Sequence, residues 1–334
     1  MCIRDSYLAV AHQRQERRGW YAGLEQLEQL TTVHKFALDA RRAAVRYVAS
    51  GGAKGRVLNQ FALDEHEGLL RVATTTGRVP DPKVHSTLTV LKQVGSELRQ
   101  LGQLDGLAPT EDIRSVRFDG QRAFIVTFKK TDPLFVIDLA RPAEPRVLAE
   151  LKIPGFSTYM QLMDERHLLT IGYDADDQGS FAWFQGVLLQ IFDVSNPRDP
   201  RLAHRERIGT RGSSSEALTN HLAFNYFAPK QLLALPMTIC EGEASGGRYG
   251  NQMTFSGLLA YDVTAEKGFH LRGRVAHPAP EGVTCRNWWT HATSQVKRSI
   301  VMDDYVYSLS TDRIKVNALS NLQLDLRDIS LADR

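Results

Sequence analysis

FVIDLARPAEPRVL (135–148) and QIFDVSNPRDPRLA (190–203) make one statement twice. Each is an apolar strand, an aspartate, a polar turn of the form x-x-P-x-x-P and a second apolar strand. Asp138 and Asp193 hold the same place in the phrase. A second phrase, apolar alternation around an acidic turn, occurs as QFALDEHEGLLRVA (60–73), SVRFDGQRAFIVTF (115–128), MQLMDERHLLTIG (160–172) and SIVMDDYVYSLS (299–310), centred on Asp64, Asp119, Asp164 and Asp303. LAFNYFAPKQLLAL (222–235) keeps the strands and turns on Ala-Pro-Lys. Each phrase predicts a hairpin. Relatives of the opening phrase, VHKFALDARRAAVRYV (33–48), STLTVLKQVGSELRQL (86–101) and SGLLAYDVTAEKGFHLRGRV (256–275, with Asp262), lie between the hairpins of the second kind. The unit is therefore two hairpins, four strands, in tandem. Helical periodicity is confined to Leu24, Leu27 and Leu30.

Four-stranded antiparallel units with no helices to cover them bury their faces by stacking radially, which predicts an all-β fold, a β-propeller of about five to six blades. The recurrent aspartates then read as turn formers whose side chains bond backbone N–H groups two residues on. The prolines fix the turns and blunt the outer strands.

Bulk properties exclude several functions. Lys plus Arg number 41 against 38 Asp plus Glu, with no long run of one sign, so neither nucleic acid nor an anionic membrane is expected as the main partner. No stretch reaches the roughly 20 apolar residues of a membrane helix. MCIRDS (1–6) matches nothing that follows and is read as a non-native extension, residues 7–320 as the propeller and 321–334 as a C-terminal tail. Cys240 and Cys285 have no zinc-finger spacing, and both a disulfide and two buried thiols fit them at this point.

LNQFALDEHEGLLRVATTT (58–76), SVRFDGQRAFIVTFKKTDPLFVIDL (115–139), LKIPGFSTYM (151–160), SEALTNHLAF (215–224) and VKRSIVMDDYVYSLSTDRIKVNAL (296–319) together resemble the secreted bacterial and archaeal proteins with a C-terminal β-propeller domain distantly related to WD repeats. The resemblance implies a propeller that is part of a larger, seven- or eight-bladed ring, with further blades upstream, and an extracytoplasmic setting, secreted or envelope-anchored. It implies no activity. One departure is Asn220, where relatives tend to have Asp before the residue corresponding to His221. The oxidising compartment implied by the family, with topology that puts Cys240 at the end of a second strand and Cys285 in the crossing that follows, leads us to expect a Cys240–Cys285 disulfide.

In such blades the first–second and third–fourth turns share one edge, and the second–third loops and blade-to-blade crossings share the other. All the long segments fall in the latter class: 12–29, 74–86, 174–186, 209–220, 240–253 and 277–298. Length on one edge of a rigid scaffold marks a binding surface. CRNWWTHATSQ (285–295) offers Trp288, Trp289 and His291 as partner anchors, although a packed tryptophan pair is the plainer alternative. Asp174, Asp176 and Asp177 in YDADDQG (173–179) resemble a calcium loop without its spacing or terminal Glu, and a solvated acidic turn is the competing expectation. His221 resembles the buried histidine of WD repeats. No GxSxG, HExxH or phosphate-cradling glycine loop occurs. The expectation is a non-enzymatic propeller that needs no cofactor and binds a protein or glycan through the long-loop edge. The alternative is a metal-dependent hydrolase with its site at the channel mouth on the same edge.

Overall fold

The computed structural model describes residues 5–15, 27–39, 41–128, 132–153, 155–177, 182–242, 250, 252–279, 285 and 291–331. They form two compact units, Met1–Lys152 and Ile153–Arg334. In the first unit, β1 (Asp5–Gln15), β2 (Leu27–Asp39) and β3 (Ala44–Lys54) make an antiparallel three-stranded sheet. The next blade is β4 (Arg56–Val57), β5 (Leu63–His66), β6 (Leu69–Thr76), β7 (His85–Val94) and β8 (Glu97–Leu107). β4 and β5 both pair with β6, so they are two pieces of one strand split by a 3-10 turn at Gln60–Ala62. β3 pairs in parallel with β8 at Ser50–Glu97, and Ser50 N donates to the Ser96 carbonyl at 3.2 Å. A four-stranded sheet follows: β9 (Asp112–Asp119), β10 (Arg122–Phe128), β11 (Asp132–Asp138) and β12 (Arg146–Ile153).

The second unit holds three four-stranded meanders. They are β13 (Phe156–Asp164), β14 (His167–Asp177), β15 (Ala182–Asp193) and β16 (Arg201–Ile208); then β17 (Asn225–Phe227), β18 (Leu232–Glu241), β19 (Gln252–Thr264) and β20 (Gly268–Ala276); then β21 (Val296–Met302), β22 (Tyr305–Ser310), β23 (Arg313–Ala318) and β24 (Asn321–Ser330). The described chain thus carries five blades of the expected kind and the three-stranded sheet β1–β3.

Burial orders the strands from inside to outside. β18, LLALPMTICE, is buried at every position but its last, as a strand covered on both faces must be. β16, RLAHRERI, alternates, with Arg201, Arg205 and Arg207 turned to solvent, as a half-covered outer strand does. Sheets pack face to face through side chains such as Leu88, Val90, Val116 and Ile125 in the first unit, and Leu258, Val275, Val296 and Val306 in the second.

Three sequence expectations change here. The Leu24–Leu27–Leu30 spacing is not helical over its described part, because β2 begins at Leu27 and Leu30 pairs with both His12 and Lys54. Residues 321–330 are the fourth strand of the last sheet rather than a tail, since a two-residue turn after Ala318 returns the chain along β23. β1 also takes in Asp5 and Ser6, the last two residues of the hexapeptide read as foreign.

Candidate functional site

The short-turn edge is held by the recurrent aspartates in two ways. Asp138 Oδ1 accepts from Ala140 N at 2.9 Å, Asp193 Oδ1 from Ser195 N at 2.9 Å and Asp164 Oδ1 from Arg166 N at 2.7 Å. These bonds favour the ionised carboxylates: the Ala140 N–H leads in holding Asp138 below its usual pKa, and the Ser195 hydroxyl and N–H do the same for Asp193. Asp64, Asp119 and Asp262 meet arginines of the neighbouring strand, Arg71, Arg122 at 2.5 Å and Arg272 at 2.6 Å, as Asp138 also meets Arg146 at 2.9 Å. Asp303 takes left-handed backbone, φ 51°, in its turn. Replacing Asp138 or Asp193 by alanine should each lower stability by about 1 kcal/mol, measured by urea denaturation, and leave partner binding intact.

The long-loop edge of the second unit is built differently. Segment 209–220, which crosses from β16 to β17, is fastened to the end of β18. Thr210 N and Oγ1 each donate to the Cys240 carbonyl at 2.8 Å, Ser213 Oγ accepts from Cys240 N at 2.9 Å, and Ser214 exchanges backbone bonds with Thr238 at 2.9 and 2.8 Å. The next crossing is tied to the same segment: Thr293 N donates to Ser214 Oγ at 3.0 Å, and Glu216 N donates to Ser294 Oγ at 3.1 Å. Cys240 and Cys285 are joined by a disulfide, their Cα atoms 5.8 Å apart. Gly212, at φ 99°, lies so close to this bond that a Cβ there would sit 2.1 Å from the Cys285 carbonyl oxygen. Tyr173, buried beneath and bonded to Ser214, has its hydroxyl pKa raised by burial, with the Ser214 bond opposing.

Of the candidate site residues, His291, Asp174 and the backbone of Asp176 and Asp177 are described. Trp288 and Trp289 lie outside the described residues, and His291 is exposed at the start of the stretch 291–296. Asp174 is buried, 4% exposed, and its carboxylate lies 3.4 Å from both Arg205 and Arg207. It is therefore not in a solvated turn, and two guanidiniums stand beside it where a calcium ion was considered. β14 runs on through Asp176 and Asp177, which pair in register with Trp183 and Ala182, so the strand extends past the point where the sequence suggested a loop. Among the described residues no group of three His, Cys, Asp or Glu could hold a metal ion.

His221 is half-buried on a 3-10 turn, its ring 6.2 Å from that of Tyr159. Among the described residues the buried histidine is His277, 1% exposed, in the crossing after β20, with Nε2 2.7 Å from Ser308 Oγ on the second strand of the next blade. Burial, reinforced by the charges of Lys315 and Arg313, lowers its pKa to about 4. The Asn220 departure is accounted for locally. Asn220 Oδ1 accepts from Leu222 N at 3.1 Å and caps the turn His221–Ala223, as Asn59 Oδ1 accepts from Phe61 N at 3.0 Å and caps Gln60–Ala62. The two Asn-x-x-Ala phrases bury their alanines completely, and an aspartate is not required for the cap.

Tandem antiparallel meanders of four strands make the repeat. The family model for the beta propeller domain matches residues 4–322. The chain belongs to this family. An uncharacterized protein of Archaeoglobus fulgidus is 37% identical to the propeller over 206 residues, 62% of this chain and 29% of that protein. One of Methanocaldococcus jannaschii is 45% identical over 154 residues, 46% of this chain and 23% of that protein. The propeller's matches thus span less than a third of the length of these relatives. Among solved structures it is similar to Saccharomyces cerevisiae Sqt1, with TM-score 0.49 and 10% identity, covering 92% of this chain and 72% of that one. No helix of the described residues is long and apolar enough to cross a membrane.

Proposed function

We propose that this propeller is a non-catalytic binding scaffold of the cell envelope or its exterior, and that it engages a protein or glycan through the long-loop edge. The observation that carries the reading is the fastening of that edge. Among the described residues, Thr210, Ser213 and Cys285 converge on Cys240, Thr210 and Ser213 by hydrogen bonds and Cys285 by the disulfide. A loop surface fixed in advance loses little entropy when a partner docks, whereas the opposite edge consists of short turns whose polar groups satisfy one another. The disulfide supports an oxidising compartment.

Trp288 and Trp289 are the anchors tested first. Replacing both by alanine should lower capture of the partner from envelope fractions at least tenfold, with Tm unchanged, because truncating a buried aromatic anchor commonly costs about 2 kcal/mol or more. The Asp138→Ala, Asp193→Ala double variant is the control for the other edge. Lost capture in that control at full stability would transfer the partner to the short-turn edge.

A further inference from the structure

The sheet β1–β3 is one strand short of the blade pattern, and the place of the missing strand can be read from its turn. Asp39 Oδ1 accepts from Arg41 N at 3.1 Å between β2 and β3, just as Asp138 and Asp193 accept from the amides two residues on, so β2 and β3 are the third and fourth strands of a blade. β1 is then a second strand. In the other blades the second strand pairs with a first strand along its other edge: β6 with β4 and β5, β10 with β9, β14 with β13, β18 with β17 and β22 with β21. Among the described residues β1 pairs with β2 alone. Its stretch 7–11, YLAVA, carries neither the charge nor the proline that guards an open edge, and Leu8 is 54% exposed.

β1 also borders a cavity of about 310 Å³, lined by Ala9 of β1, Thr31 of β2 and, from the next blade, Val57, Asn59, Gln60 and Leu63. The second unit shows what stands against the equivalent turn. The capped phrase at Asn220 corresponds to that at Asn59, so His221 and Phe224 hold the places of Gln60 and Leu63. There Tyr159, on the first strand β13 of the preceding blade, lies with its ring 6.2 Å from that of His221 and 5.3 Å, edge-on, from that of Phe224. A first strand thus sets an aromatic side chain against the turn that opens the next blade.

We propose that β1 and this cavity form an acceptor slot for a strand of the same polypeptide from outside these 334 residues, which pairs antiparallel with β1 and places a bulky aromatic side chain in the cavity. Main-chain hydrogen bonds along the edge supply affinity, and the cavity supplies selectivity for the side chain. The archaeal relatives run well beyond the part they share with this chain, which makes the same polypeptide the source.

The test is fluorescence anisotropy of the 334-residue chain with a fluorescein-labelled peptide of sequence FSTYMQLMD, the chain's own first strand Phe156–Asp164. The peptide should bind, and Tyr159→Ala within it should weaken binding at least tenfold. Alternate residues of a strand turn their N–H groups to the same neighbour. N-methylation of one alternate set should therefore abolish binding, and of the other set leave it unchanged. Ala9→Phe in the protein, which fills the cavity, should weaken binding at least tenfold without lowering Tm. The full-length polypeptide, its slot already filled, should not take up the peptide. No binding to the 334-residue chain, equal binding of the Tyr159→Ala peptide, or equal effects of the two methylated sets would overturn the slot. Equal binding by the full-length polypeptide would overturn the assignment of its occupant to the same polypeptide.

Discussion

Replacing both Cys240 and Cys285 by serine is expected to lower stability by about 4 kcal/mol, the chain-entropy value for a bond closing a loop of 45 residues' separation. The effect should appear in urea denaturation as a lower midpoint with a steeper slope, because the uncrosslinked denatured chain exposes more surface. It should also appear locally. Hydrogen exchange of the Thr210, Ser213 and Ser214 amides, which are bonded to or packed around Cys240, should rise more than that of β13–β15, because the disulfide fixes the peptide they dock on. Dithiothreitol treatment of the wild-type chain should reproduce both changes. A double variant within about 0.5 kcal/mol of wild type would show that the hydrogen bonds of 209–220 alone hold the edge.

The second large effect concerns acid. His277 is buried against Ser308, and its pKa is lowered to about 4 from 6.5 by burial and by Lys315 and Arg313, with Asp325 and Asp328 acting in the opposite sense. The folded state therefore prefers neutral imidazole. Stability is complete above pH 6.5 and falls as pH drops from 6.5 towards 4, while the unfolded chain binds the proton and the folded chain does not. The loss over that window is about 3 kcal/mol. The carboxylates bonded at the short turns, such as Asp138 and Asp193, titrate mainly below this window, since their folded pKa values are depressed. His277→Gln, which keeps a polar partner for Ser308, should remove the slope between pH 6.5 and 4. An identical slope in the variant would assign the acid response elsewhere.

What the sequence made legible was local. The turn at Asp138 or Asp193 is specified within a dozen residues by an aspartate and two prolines, and the strands on either side follow from alternation. β24 was missed because its connection to β23 is a two-residue turn with neither the aspartate nor the prolines that mark the turns after Asp138 and Asp193. Asp174 looked like part of a solvated turn because Arg205 and Arg207, its partners, are more than thirty residues away on β16. The same limit hid His277: its contact with Ser308 joins two blades, whereas His221 sits beside a recognisable phrase and drew the comparison instead. The equivalence of Asn59 and Asn220 was within reach of the sequence, since both precede a buried alanine by three residues, and it explains the departure from the family pattern.

The claim that function resides on the long-loop edge is tested most directly by a hydrogen-exchange footprint of the wild-type chain with and without partner captured from envelope fractions. The account predicts new protection within 74–86, 209–220 and 277–298, and none at the turns after Asp138 and Asp193. Protection confined to those two turns, with the long segments unchanged, would contradict it.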